Sequence, residues 1–330
     1  MHDAILVTGG AGYIGSHTVL ELVRAGREVV VVDNLSKGHV RALRTPHFIE
    51  GDIADPSVLE RIFSTFPIKK VIHFAAQSLV AESMRDPRKY FRENVVKGLA
   101  LFDALIDAGV EGIVLSSTAA VYGHPQGCPI PEDAPAVPVN PYGESKLFLE
   151  TALCRYAQVY GMKAVSLRYF NAAGADPGGE LGEDHDPETH LIPNILNTAL
   201  GKKDRLEIFG DDYPTDDGTA VRDYIHVTDL ARAHILALDR IAEGPPWEVF
   251  NLGNARGFSV RQVLDCAERI IGREIPFEIA PRRAGDPATL VADASKAAKI
   301  LGWQQNLADL ETIVGTAWQW ARAHPKGYGR

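Results

Sequence analysis

Among ten tyrosines, only Tyr142 has a lysine four residues later, Lys146, and on a helix residues four apart share a face. Pro141 immediately precedes the pair and sets it at a helix start. A tyrosine of ordinary pKa near 10 is about 0.1 % ionised at neutral pH, so service as a general base asks for a shift of up to ~3 units, or about 4 kcal/mol. A lysine ammonium about 4 Å away, at an effective dielectric of roughly 20, supplies an interaction of that size. Upstream, Ser116, Ser117 and Thr118 end an apolar run, and a hydroxyl at the carboxyl end of a strand can bridge a bound ligand and the tyrosine. The spacing predicts proton transfer by Tyr142, tuned by Lys146 and assisted by Thr118. A solvated helix pair would have the same spacing, so the reading depends on a cofactor site elsewhere in the chain.

Such a site is written near the start. An apolar run over 4–7 leads into Thr8-Gly9-Gly10-Ala11-Gly12-Tyr13-Ile14-Gly15. Glycines at 9, 12 and 15 permit a tight turn, approach of backbone N–H groups to a pyrophosphate, and close contact of the next helix with the strand. Asp33 follows the second apolar run, 29–32, where a carboxylate accepts hydrogen bonds from both ribose hydroxyls of an adenosine. Its charge repels the extra phosphate of NADP, so NAD is the expected cofactor. Gly51-Asp52-Ile53, after a third short run, is placed to hold the adenine edge.

The elements that must position these groups alternate strand and helix. Short apolar runs at 4–7, 29–32, 48–50, 71–74, 113–116 and 164–167 predict six strands, separated by helical stretches at 13–25, 56–66, 87–108 and 142–160. That alternation predicts an α/β fold, a doubly wound parallel sheet with crossover helices on both faces. The texture changes after Asn171, because 175–186 is crowded with glycine, proline and acids. The expected organisation is a cofactor domain over 1–170, to which 220–245 returns as a further βα unit. A smaller α/β substrate domain is expected over 171–219 and 246–330, with one helix opened by the capping-box pattern from Ser259 to Gln262.

Composition removes other classes. Thirty-four basic against forty-three acidic side chains give a net charge of −9, so no broad nucleic-acid footprint is expected, and phosphate must be captured locally. Cys128, Cys154 and Cys266 show neither disulfide nor zinc-ligand spacing, and no metal ligand set is assigned. With no apolar run of membrane-spanning length, the expectation is a cytoplasmic chain with no membrane partner.

The stretches TGGAGYIGSH, VVDNLSKG, VIHFAA, SSTAAVYG, PYGESK, LRYFNAAGA, DYPTDDGTAVRDYIHVTDL and APRRAGDPATLVADASKA together resemble the extended short-chain dehydrogenase/reductase superfamily and, within it, the UDP-glucose 4-epimerase family. The resemblance runs end to end. It implies a Rossmann-type fold, tightly held NAD, and reversible inversion at carbon 4 of a UDP-hexose through a 4-keto sugar. Carried over residue by residue, it implies cofactor contacts at Gly9, Gly12, Tyr13, Ile14, Gly15, Asp33, Asn34, Asp52, Ile53, Phe74, Ala75, Asn94, Lys146 and Tyr169. Substrate contacts are implied at Thr118, Tyr142, Asn171, Leu191, Phe209, Arg222, Tyr224, Arg283, Asp286 and Leu290. Arg222 and Arg283 would clamp the diphosphate and Asp286 the uridine ribose. The resemblance also implies a homodimer through the helices at 87–108 and 142–160.

Three positions depart from the family pattern. Thr118 stands where many members carry serine, Ser78 where some carry lysine, and His190 where an asparagine lies beside the uridine phosphates. Two other readings share the cofactor site. A nucleotide-sugar dehydratase or decarboxylase needs carboxylates beside the hydroxyl, whereas Thr118 is followed by Ala119 and Ala120. A non-catalytic NAD-binding regulator would have no use for Tyr142, Lys146 and Thr118 together.

Overall fold

The computed structural model describes residues 3–283 and 286–329. Among the described residues thirteen strands are formed: β1 Ala4–Thr8, β2 Glu28–Asp33, β3 His47–Glu50, β4 Ile68–His73, β5 Gly112–Thr118, β6 Lys163–Tyr169, β7 Asn171–Ala173, β8 Leu206–Phe209, β9 Val221–His226, β10 Trp247–Leu252, β11 Gly257–Ser259, β12 Phe277–Ala280 and β13 Thr289–Leu290. Seven build one parallel sheet in the order β10-β6-β5-β4-β1-β2-β3. The chain reverses direction across the sheet between β1 and β4, and the crevice at such a switch point, outside the carboxyl ends of the strands, is where ligands of doubly wound sheets bind.

Helices cover both faces. The first, α1 (Tyr13–Arg24), and α8 (Val227–Glu243) lie on one side, where Val7, Val19, Val31, Val165, Leu230, Ala233 and Ala237 share a core. On the other side lie α2 (Pro56–Thr65), α5 (Lys97–Asp107) and α6 (Pro141–Tyr160), which bury Leu59, Leu101, Leu105, Leu149 and Leu153 against Leu6, Val30 and Leu115. The central strands are apolar on both faces for that reason. Two short helices, α3 (Val80–Arg85) and α4 (Pro87–Tyr90), lead into this layer. The smaller lobe carries α7 (Leu191–Ala199), α9 (Val260–Ile271) and α11 (Leu310–Ala323) around a separate core of Ile195, Leu206, Val263, Ile313 and Val314, while α10 (Ser295–Leu301) returns to the first core through Ala297 and Leu301. The capping box at Ser259 and Gln262 is formed in both directions.

Three elements differ from the sequence reading. The stretch at 247–252, expected in the smaller lobe, is the outer strand of the seven-stranded sheet, because Phe250 and Leu252 are wholly buried in its core. Only the helix of the expected returning βα unit packs on that sheet. Its strand, β9, joins β7, β11 and β13 in a small sheet, where its two charges find partners: Arg222 on Asp286, and Asp223 on the N–H groups of Asn254 and Ala292. The helix read over 87–108 is interrupted by one π-helical stretch, Phe91–Val96, whose wider turn carries Asn94 inward.

The chain's final turn spans both lobes. Tyr328 exchanges hydrogen bonds with Gly182 through its hydroxyl, its N–H donates to Asp184, and its carbonyl accepts from Arg41.

Candidate active site

The glycine turn is dictated by close packing. Gly9 has φ +72°, and a Cβ there would lie 2.6 Å from the backbone nitrogen of Ala75. A Cβ on Gly15 would collide with the carbonyl of Gly9. Gly12 is different: a Cβ there meets only the Gly9 carbonyl, at 3.4 Å, so the fold itself does not demand glycine. What its absence of a side chain keeps open is the mouth of the turn at the start of α1, where free N–H groups face outward.

Asp33 closes the opposite side of this cradle. It is only 8 % exposed, and its two oxygens accept from the N–H groups of Ala11 (3.0 Å) and Leu35 (2.8 Å). Burial raises its pKa and these two bonds lower it. The remaining lone pairs fit a diol, so this end of the cradle suits the adenosine ribose of a dinucleotide. Asn34 is exposed beside it, with its oxygen turned to the N–H of Ser36. Asp52 is committed to Lys97 (2.5 Å) and to the N–H of Ala54, and Ile53 is buried next to it. The Phe74 ring lies 4.6 Å from that of His234.

Tyr13 and Asn94 use their polar atoms inside the chain. The Tyr13 hydroxyl donates to the carbonyl of Gly174 at 2.7 Å. Asn94 accepts from the N–H of Gln77 and donates to the Gln77 carbonyl and the Ser145 hydroxyl. It thereby ties the loop after β4 to α6, one residue from Lys146. Ser78 is exposed on that loop.

The carboxyl end of β5 meets the first turns of α6 at the switch-point crevice. Asn140 caps α6 by accepting from the N–H of Gly143, which fixes Tyr142 and Lys146 in the first two turns. Tyr142 is partly exposed, whereas Lys146 is buried and donates to the carbonyl of Ser116 at 2.9 Å. The Thr118 side chain caps the 3₁₀ turn that follows β5, accepting from the N–H of Ala120 at 3.1 Å. The hydroxyls of Ser116 and Tyr169 lie 2.5 Å apart.

The electrostatics of the pair differ from the sequence estimate. Burial raises the Tyr142 phenol, and the neighbouring Thr118 side chain lowers it. Burial also brings the Lys146 ammonium down to about 8, against the pull of Glu150. Lys146 donates one of its N–H groups to the Ser116 carbonyl, burial is the larger influence on the phenol, and the positive charge of an oxidised nicotinamide bound here would lower it.

Sequence reasoning missed the buried network behind this pair. Glu150, one further turn along α6, receives Arg168 at 2.6 Å and the hydroxyl of Ser117, and Arg168 also donates to Tyr122. The same four-residue spacing that marked Tyr142 and Lys146 marks Glu150.

A second cluster faces the site from the smaller lobe. Arg222 pairs with Asp286 at 2.6 Å, and the guanidinium of Arg283 lies 4.0 Å above the ring of Phe209. Asn171 and Tyr224 are opposed in the β7/β9 register, and Leu191 opens α7 directly after its N-cap residue, His190. Leu290, in β13 beside Arg222, packs against the cluster of Val121, Tyr122 and Ile130 that follows Thr118. The expected substrate residues of this lobe thus lie on β7, α7, β8, β9 and β13 and on the segment before β13, and the packing of Leu290 links that sheet to the cluster after Thr118.

Comparison with known proteins agrees with this geometry. The chain is 53 % identical to the UDP-glucose 4-epimerase of Halalkalibacterium halodurans, over 98 % of this chain and 97 % of that one. Among solved structures it superposes on the UDP-glucose 4-epimerase of Brucella ovis in complex with NAD with a TM-score of 0.93, at 48 % identity over 96 % of this chain and 98 % of that one. It superposes on the enzyme of Bifidobacterium longum in complex with NAD+ and UDP with a TM-score of 0.94, at 40 % identity over 98 % and 99 % of the two chains. The sequence pattern of the NAD dependent epimerase/dehydratase family matches residues 5–253, a span that takes in the glycine turn, Asp33, Thr118, Tyr142 and Lys146, and the chain belongs to that family.

Proposed function

We propose that this chain interconverts UDP-glucose and UDP-galactose by inverting carbon 4, with NAD as its resident cofactor. The observation that carries the reading is the link Leu290 makes: it neighbours Arg222, the partner of Asp286, in the small sheet and packs on the cluster that directly follows Thr118 at the carboxyl end of β5. The glycine cradle and Asp33 fit the dinucleotide. Bound NAD supplies the hydride acceptor and donor at carbon 4. Tyr142 takes the proton of the 4-hydroxyl and later returns it, with the neighbouring Thr118 hydroxyl orienting the sugar. Lys146 holds its ammonium at the same strand end, where it favours the phenolate once a second positive charge is present. Arg222 and Arg283 hold the diphosphate and Asp286 the uridine ribose, which leaves the hexose free to turn and present either face of its 4-keto form.

Neither neighbour of Thr118 on the following turn is a carboxylate, which disfavours loss of water or of carbon dioxide from the same keto sugar. Purified protein given UDP-galactose should produce UDP-glucose without net change in absorbance at the NADH band. Stoichiometric accumulation of NADH would make it a dehydrogenase instead.

We further propose a cytoplasmic homodimer built on the helical stretches at 87–108 and 142–160. No helix among the described residues is long and apolar enough to cross a membrane. Val96 and Phe148, 61 % and 51 % exposed, present apolar surface on this helical layer, and pairing two such layers into a helix bundle would cover them. The division at residue 170, with the smaller lobe supplying the UDP-sugar contacts, belongs to the same proposal.

A further inference from the structure

The acid-rich loop between β7 and α7 contains a cluster to which the proposed proton and hydride transfers give no role. Glu183, His185, Glu188 and His190 each bring one ligand atom to within 4.8 Å of the others. Both imidazoles turn Nδ1 toward the same oxygen, Glu183 Oε1, at 3.1 Å for His185 and 2.5 Å for His190. Glu188 lies 3.8 Å from the first nitrogen and 3.7 Å from the second. The two carboxylates are nearly out of solvent, with side chains 7 % and 9 % exposed.

We propose that these four residues bind one divalent transition-metal cation of the zinc class. Two imidazole nitrogens with two carboxylate oxygens are the mixed donor set that such ions take, whereas magnesium and calcium prefer six or more oxygens. Zinc bonded at about 2.0–2.2 Å in a tetrahedron spaces its ligand atoms about 3.3–3.5 Å apart. The nitrogen–oxygen separations run from 2.5 to 3.8 Å and all four ligand atoms lie within 4.8 Å of one another, so side-chain adjustments on the order of an ångström complete the shell. The supporting contacts are in place: Glu188 Oε1 accepts from the N–H groups of Thr189 (2.7 Å) and His190 (2.8 Å), which leaves Oε2 toward His185.

Four protein ligands make a closed site, structural rather than catalytic. Its position defines the role. His190 is the N-cap residue of α7, and the His185 ring stands edge-on to Tyr13 with centroids 6.0 Å apart. A bound ion would clip the loop to the start of α7 and fix the His185 ring beside Tyr13 of the glycine turn. Sequence reasoning sought metal ligands in the cysteine spacing and passed over this loop as a boundary. The inference does not depend on which sugar the enzyme turns over.

The test uses the purified full-length holoenzyme, treated with chelator and dialysed against zinc or cobalt(II) chloride. One ion per chain is expected, with a raised melting temperature and, for cobalt, the intense visible bands of four-coordination. His185→Ala and Glu188→Gln should each weaken binding more than about tenfold and abolish the thermal shift. His124→Ala, at an exposed histidine outside the cluster, should bind as the parent does. Absence of saturable binding, a six-coordinate cobalt spectrum, or stoichiometric binding that survives both substitutions would overturn the site. If either variant fails to fold, the cobalt spectrum of the parent protein decides.

Discussion

Lys146 is anchored to Ser116: its ammonium donates to that residue's carbonyl at 2.9 Å, two positions before Thr118 on the same strand. The base-tuning charge and the assisting hydroxyl are thereby referenced to one rigid edge of the sheet, and Tyr142 is brought to both by the first turn of α6. Removing the phenol hydroxyl should leave this scaffold intact. Tyr142→Phe is expected to lower kcat by about 10²- to 10⁴-fold, the range for a lost general base, with NAD binding and urea midpoint unchanged. Because the proposed mechanism sets Thr118 on the same proton, Thr118→Ala combined with Tyr142→Phe should cost less than the product of the two single losses. Steady-state kinetics of the four proteins checks this.

Asp33 predicts the cofactor. Asp33→Ala removes a charged acceptor for the ribose hydroxyls and the repulsion toward a 2′-phosphate, so NAD should bind about 10- to 100-fold more weakly and the preference over NADP should shrink. Fluorescence titration of cofactor-stripped protein with each dinucleotide measures both. Extraction of the purified parent protein should yield NAD.

Acid stability follows from four buried histidines. Burial lowers His17, His73, His226 and His234 to about 4, 3, 4 and 4. An unfolded imidazole takes up its proton below about 6.5, whereas these do not until far lower, so the unfolded state binds more protons and stability falls as pH drops from 6.5 toward 4. The loss is on the order of 2 kcal/mol per residue at pH 5. Urea midpoints at pH 7 and pH 5 should differ markedly, and His234→Gln should reduce the difference.

Leu290 predicts sugar scope. It is partly exposed and packs on the cluster behind Thr118, where the resemblance sets the carbon-2 substituent of the hexose. Leucine leaves more room there than the larger tyrosine ring would, so UDP-N-acetylglucosamine should also be epimerised. Leu290→Tyr should abolish that activity and largely spare UDP-glucose, since overpacking penalises the bulkier ligand. Comparison of kcat/KM for both sugars in both proteins decides it.

The central sheet was readable because buried parallel strands are short, continuous apolar runs, as at Val29–Val32, and the glycine turn because its residue types are sterically compelled. The β10 strand was not, since Trp247–Leu252 has the same apolar signature as a strand of either sheet, and only the burial of Phe250 assigns it. Asn94 was read as a ligand contact. Its engagement with Gln77 and Ser145 depends on a π-helical turn that residue spacing at the α period cannot reveal. For Tyr142 and Lys146, spacing found the residues but misjudged the charge, because a pair's spacing says nothing of how deeply it will be desolvated or which carbonyl will claim the ammonium.

The strand order carries a consequence for synthesis on the ribosome. Strand β6 ends at Tyr169, and its outer partner β10 ends only at Leu252, so about eighty further residues must be translated before that edge is covered, several seconds at roughly 5–20 residues per second. During that interval the nascent chain displays an open apolar edge of the kind that recruits other strands. Slow translation through 170–252 should therefore increase aggregation and chaperone engagement, an effect invisible in the stability of the finished protein.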